Sequence, residues 1–268
     1  MKKWMLILAM IVYVSGCDRS SSAHPIAQKQ ETKVTPQEEQ VNPQEKTVNE
    51  TPSELLLEEK FWNQIEVQNG IKVIVNPENI LALVNKEQSL PANYKPNDLV
   101  IPNVPFTFAE TNVEKRYMRA EAAKALEEMF AKAKEEQIFL YAVSGYRSYE
   151  RQKALFDAEV NRVGKDKAVM AVAIPGRSEH QTGLAVDITS PSVQYEITQA
   201  FGETKEGKWV AEHAHEFGFI IRYPKGKEGI TGYQYEPWHL RYVGKKAAKV
   251  IFEKRITLEE YFQIVKKV

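Results

Sequence analysis

His180 and Asp187 stand seven residues apart across a glycine in the stretch Ser178-Glu179-His180-Gln181-Thr182-Gly183-Leu184-Ala185-Val186-Asp187, and side chains of these types can share one metal ion. The chain has only five histidines, so their partners can be enumerated. His24 lies in a polar stretch and is set aside. His213 and His215 fall on one expected helix, where a spacing of two turns them roughly 200° apart and keeps them from meeting at one ion. His213 and Glu216 share a face, which reads as solvated surface. His239 remains. Two imidazoles and one carboxylate form a three-ligand set that leaves an ion such as zinc one open position for an acidic water. Gly183 lets the chain turn between the first two ligands, and the small Ala185 permits close packing beside the ion. On spacing alone, a buried histidine hydrogen-bonded to an aspartate is the competing explanation.

Glu236 adds weight to the metal reading. It stands three residues before His239, in Glu236-Pro237-Trp238-His239. Pro237 holds the backbone extended, so the carboxylate can face a bound water as a general base without ligating the ion.

These side chains need a scaffold. Between Arg116 and Glu136, Ala122, Leu126, Met129, Phe130 and Ala133 recur at intervals of three and four without Pro or Gly, which predicts an amphipathic helix. A strand is expected at Ile138 to Val143 and a helix from Tyr149 to Val163, stopped by Gly164. A short helix is expected from Asp166 to Ala173. Leu184 to Thr189, Phe219 to Tyr223 and Trp238 to Val243 read as strands, and Trp209 to Phe217 as a helix ending at Gly218. Two C-terminal helices follow, the last opened by a capping box at Thr257 and Glu260. Upstream, Ser53 caps an expected helix through Phe61 and Trp62. Asn69-Gly70 between apolar alternations predicts a hairpin over Ile65 to Val75. Leu83 to Val100 reads as an irregular wrap. Strands and helices mix without regular βαβ alternation, so the expected class is α+β, with a mostly antiparallel central sheet flanked by helices.

The ends speak of location. Lys2 and Lys3 precede an apolar run from Trp4 to Val14, too short to span a membrane, and Val14-Ser15-Gly16-Cys17 resembles a bacterial lipobox. Residues 1–16 are thus an expected lipoprotein signal peptide, and Cys17, the only cysteine, an expected lipidated N-terminus. No intramolecular disulfide is possible. Residues 17–52 lack aromatics and read as a disordered tether, spanning roughly 30–35 Å as a flexible coil. Residues 53–268 form the expected catalytic domain, with helix, hairpin and wrap over 53–115 and the core over 116–268. The expected location is extracytoplasmic, on the outer face of the bacterial cell membrane. Charge is balanced, at 36 basic and 36 acidic residues, with no basic stripe to track nucleic acid. Gly226-x-x-Gly229-x-x-Gly232 has neither the spacing nor the setting of a nucleotide loop and is expected to be a flexible flap beside the site.

The segment from about Asn85 to Val243 resembles the VanY-like zinc D-alanyl-D-alanine carboxypeptidase family, including its LdcB-type L,D-carboxypeptidases. Ser178, His180, Gly183, Ala185 and Asp187 meet every fixed position of the family pattern Ser-x-His-x-x-Gly-x-Ala-x-Asp, alongside Ser144-Gly145-Tyr146-Arg147-Ser148 and Glu236-Pro237-Trp238-His239. The resemblance implies the zinc DD-peptidase/hedgehog-like fold, one zinc ion on His180, Asp187 and His239, and Glu236 as general base. It implies further that Arg147, Gln152, Ser178 and Tyr223 line the substrate site. Arg147 can clamp a terminal carboxylate or the developing oxyanion through paired N–H groups. The implied activity is removal of a C-terminal D-alanine from peptidoglycan stem peptides. An endopeptidase cutting within cross-links and a non-catalytic wall-peptide-binding lipoprotein are the alternatives. A penicillin-binding-type serine enzyme is excluded, because no serine has lysine three places on.

Overall fold

The site is built on a four-stranded antiparallel sheet. The computed structural model describes residues 52–268. The expected signal peptide, Cys17 and all but the last residue of the tether lie outside the described residues. A hairpin of β1 (Ile65–Gln68) and β2 (Ile71–Ile74) comes first. After it come α1 (Ala120–Glu135), β3 (Tyr141–Ser144), α2 (Tyr149–Val163), α3 (Lys165–Ala171) and β4 (Ala185–Thr189). The chain continues through α4 (Lys205–His213), β5 (Phe219–Ile221), β6 (His239–Tyr242), α5 (Lys245–Lys254) and α6 (Leu258–Ile264). The central sheet runs in the order β3-β4-β6-β5, and every neighbouring pair in it is antiparallel. The expected α+β class is therefore the one found.

Alternation along the strands separates core from site. Val186, Ile188 and Leu240 point to one face and join Leu126, Met129 and Phe130 of α1 and Trp209 and Val210 of α4 in the main core. Burial of each such large apolar side chain is worth about 1.5–3 kcal/mol. The register pairs His239 with Asp187 and Arg241 with Ala185, so these four residues share the opposite face. Arg241 is wholly buried, and the small side chain opposite leaves it room. A second core joins Leu57 to Val250, Ile251, Leu258 and Tyr261 of the C-terminal helices.

Several expected elements hold their places. Asn69 (φ 51°) and Gly70 (φ 78°) turn the hairpin in the left-handed region. α2 begins where Ser148 Oγ accepts the Arg151 amide and ends at Gly164, and the capping box at Thr257 and Glu260 is formed.

Five expectations need correction. The helix at Ser53 is instead two short 3₁₀ turns, Ser53–Leu55 and Glu59–Phe61, around an extended Leu56–Leu57. That segment pairs in parallel with Lys266–Lys267 at the other end of the chain, and this long-range pairing overrides local helix propensity. α1 starts at Ala120 rather than Arg116, because Met118–Arg119 pairs with Leu99–Val100. The strand after α1 begins at Tyr141, since Gln137 (φ 61°) and the Ile138 amide bonded to Ala133 O spend the intervening residues on closing the helix. α4 starts earlier than expected, at Lys205, under a Thr204 cap, and tightens into a 3₁₀ turn, Ala214–Phe217. The glycine-bearing loop contains a helical turn, Glu228–Thr231, and Lys227 is tied to Glu260 at 2.9 Å, so it is fastened to α6. Among the described residues no helix is long and apolar enough to cross a membrane.

Candidate active site

Two strands and one turn deliver the three predicted ligands. Asp187 on β4 and His239 on β6 are direct cross-strand partners, which places their side chains side by side on one face. His180 comes from the 3₁₀ turn Glu179–Thr182, which Gly183 (φ 67°) closes in the left-handed region. A Cβ on Gly183 would also lie 2.9 Å from Leu99. The wrap holds this turn from behind, because the Gln181 amide donates to Pro91 O at 2.9 Å and Tyr94 O at 3.1 Å.

The ligand atoms of His180, Asp187 and His239 all lie within 4.8 Å of one another. His180 Nδ1 donates to Gly145 O at 2.8 Å, which leaves Nε2 as the bare nitrogen, 3.4 Å from Asp187 Oδ2. Gly145 can present that carbonyl only without a side chain, since a Cβ there would sit 2.4 Å from Tyr117 O. His239 Nδ1 lies 3.0 Å from Asp187 Oδ1 and its Nε2 3.5 Å from Glu179 Oε2. Two buried imidazoles and a part-buried carboxylate, converging and oriented by outer hydrogen bonds, fit a divalent metal that keeps an open coordination position.

The electrostatics agree with that fit. Burial works against the charged form of Asp187, yet His180 and His239 outweigh it and hold the carboxyl below the usual range. Burial also works against protonation of His239, but the carboxylates of Asp187 and Glu179 outweigh it and raise its pKa to about 9. A cation entering the cluster therefore competes with a proton. Burial pushes His180 down, which favours the neutral ring that ligation needs.

A cavity of about 440 Å³ opens over the cluster, and the four expected substrate residues and Glu236 all line it. Burial raises the pKa of Glu236 against the opposing pull of His239. Arg147 donates to Gln152 Oε1 at 3.0 Å and to Ser144 Oγ at 3.3 Å. Burial lowers its pKa while Asp187 pulls the other way, and a guanidinium remains charged under such opposition. Gln152 spends its amide nitrogen on Ala173 O at 2.6 Å, so it braces Arg147 rather than presenting an open amide. Ser178 is buried at the rim of the ligand turn. Tyr223 stacks on His239 with centroids 5.1 Å apart, and burial keeps its hydroxyl protonated.

The sequence reading passed over two residues. Tyr233 lines the cavity and stacks on Tyr223 at 4.4 Å, though in sequence it is one tyrosine in a polar loop. Glu179 lies between two motif positions, yet it is fully buried, and Arg222 and Arg241 overcome the cost of burial to keep it ionised. Its signal was the pair of arginines inside strand segments that otherwise read as apolar. His213 and His215 stay apart as expected: His213 bonds Glu216 at 2.9 Å and His215 stacks on Phe252.

Comparison with known proteins gives concordant results. The VanY family profile, D-alanyl-D-alanine carboxypeptidase, matches residues 115–245. YodJ of Bacillus subtilis (strain 168), a protein named provisionally as a carboxypeptidase, is 54% identical over 272 residues, covering 99% of this chain and 98% of that protein. The solved LdcB LD-carboxypeptidase superposes with a TM-score of 0.78 at 61% identity, covering 80% of this chain and 100% of that one. A mutant of the VanY D,D-pentapeptidase from a VanB-type resistance cassette, solved with Zn(II), superposes with a TM-score of 0.56 at 34% identity, covering 68% and 98%.

Proposed function

Because this chain belongs to the VanY family of D-alanyl-D-alanine carboxypeptidases, we propose that it is a zinc-dependent enzyme that removes the C-terminal D-alanine from peptidoglycan stem peptides. The observation that carries this reading is the convergence of His180, Asp187 and His239 in a cavity that Glu236 and Arg147 also line. Zinc held by these three side chains would polarise the scissile carbonyl and lower the pKa of the attacking water towards neutrality.

The chain's own residues supply the rest. Glu236 takes a proton from the attacking water and returns it to the nitrogen of the leaving D-alanine. Burial, by raising its pKa, makes it a stronger base for that transfer. Arg147, anchored through Gln152 and Ser144, has N–H groups to spare for the terminal carboxylate or the carbonyl oxygen on which charge develops. Tyr223 holds the His239 ring flat against it and walls the cavity. Arg147→Lys is expected to lower kcat/KM by about 10²–10³-fold with metal content unchanged, because a point charge replaces a planar fork. Unaltered steady-state kinetics in that variant would remove Arg147 from the mechanism.

The greater likeness to LdcB than to VanY favours the stem tetrapeptide, whose terminal D-alanine follows an L,D bond. Mass spectrometry of tetrapeptide and pentapeptide stem fragments, each incubated with the zinc-loaded protein, tests this directly. Loss of one alanine from the tetrapeptide is expected. Loss from the pentapeptide alone would assign the D,D bond instead, internal cleavage an endopeptidase, and two intact peptides would defeat the enzymatic reading.

The proposal extends to location. A lipid on Cys17 would hold the enzyme on the outer face of the membrane, within a tether's reach of its substrate. Cys17→Ala is then expected to move the protein into the medium, and its continued recovery with membranes would refute the anchor.

A further inference from the structure

Glu179 lies next to His180 in sequence but spends its carboxylate on the other histidine. Its Oε1 accepts from Arg222 Nε at 2.8 Å and from Arg241 Nη1 at 2.6 Å. Its Oε2 faces His239 Nε2 at 3.5 Å, somewhat longer than the usual N–H···O bond of about 2.7–3.2 Å. The two arginines are held in turn. Arg222 makes a two-pronged pair with Glu259 at 2.9 and 2.6 Å, and Arg241 donates to the carbonyls of Ile80, Ala82 and Tyr242. Glu179, Arg222 and Arg241 are almost completely shielded from solvent.

Core stability alone does not call for such a network. Burying charges costs several kcal/mol per ion before pairing recovers it, and apolar residues of similar volume usually serve as well. What an ion network supplies is a carboxylate that cannot turn. With Oε1 fastened at two points, Oε2 has one direction left, and His239 Nε2 stands in it. Tyr223, stacked on the same ring, restricts its tilt.

We propose that Glu179 is a positioning residue for the metal. Its Oε2 faces the Nε2–H of His239 as acceptor and keeps the proton on that nitrogen, so that Nδ1 is the nitrogen turned to Asp187 and the ion, while His180, bonded through Nδ1 to Gly145 O, presents Nε2. The two histidine ligands thus use opposite nitrogens, each selected by an acceptor behind it. Through Arg222, the first turn of α6 braces the site, because Glu259 lies there. This inference rests on the metal reading given above.

The test combines zinc affinity, by competition with a chromophoric chelator, with long-range ¹H–¹⁵N NMR of the histidine rings in the zinc-loaded full chain. In the wild-type protein His239 is expected to carry its proton on Nε2. Glu179→Gln is expected to weaken zinc binding by about 10–100-fold, the usual cost of an outer partner, and Glu259→Gln by less than about tenfold although it breaks the same buried network. Unchanged affinity in Glu179→Gln overturns the proposal, as does an equal loss in Glu259→Gln, which would mark general loosening. Should Glu179→Gln fail to fold, the wild-type spectrum decides alone, and a His239 proton on Nδ1 overturns it. A wild-type protein that binds no zinc would overturn the metal reading itself, an outcome distinct from all of these.

Discussion

Glu236→Gln is expected to lower kcat by about 10²–10⁴-fold, the range over which a positioned general base acts, while the protein keeps its fold and its zinc. The fold survives because Glu236 is tied in by its backbone, through Tyr223 O and the His239 amide. Its carboxyl responds to burial and neighbouring charges rather than to hydrogen bonds. An amide of the same shape therefore disturbs nothing it leans on. Zinc is retained because Glu236 lies outside the converging set of His180, Asp187 and His239. What is lost is the place where the attacking water leaves its proton. Metal analysis beside turnover of a stem tetrapeptide separates these effects. Full peptide release by the variant would sink the mechanism, and loss of zinc along with activity would make Glu236 a ligand instead.

His180→Ala is the second large effect, with zinc and activity expected to disappear together. Two of three donors remain, and the affinity loss should exceed the roughly 10–100-fold caused by removing an outer partner. The variant also strips the Gly145 carbonyl of its hydrogen bond, which costs about 1–3 kcal/mol and lowers Tm. The protein should still fold, because the main core of Leu126, Met129, Val186, Leu240 and their neighbours does not include His180. Circular dichroism with metal content and activity reads all three. A variant that binds stoichiometric zinc with wild-type affinity would refute the ligand assignment.

The two substitutions make a pair. One separates chemistry from metal and the other removes both, so a site that merely hydrogen-bonds a histidine to an aspartate would produce neither pattern.

Local information went far in this chain. Period-three and period-four apolar spacing located α1, glycines stopped α2 and closed the ligand turn, and Asn69-Gly70 made the hairpin, since each of these is decided within a few residues. It failed at Leu56–Leu57, where the partner strand is Lys266–Lys267 and no window of sequence contains both. It also misplaced element boundaries, such as the start of β3, which depends on how many residues the closing turn of α1 consumes.

The candidate site divides along the same line. Residue types and spacing in the chain made His180, Asp187, His239 and Glu236 candidates, because ligand and base chemistry is a property of side chains, and the family resemblance carried by the motifs implied their roles and that of Arg147. Which atoms meet was not written there. The β4–β6 register set Asp187 against His239, the wrap pinned the turn through Gln181, and two arginines from β6 and the segment after β5 closed on Glu179. These are contacts between segments as many as 90 residues apart for Gln181 and Pro91, and 62 for Arg241 and Glu179. Sequence alone determined what chemistry the chain could attempt; only the tertiary structure decided the choice of nitrogen, the orientation of each carboxylate and the hidden brace of Glu179, because those depend on distances that no local rule sets.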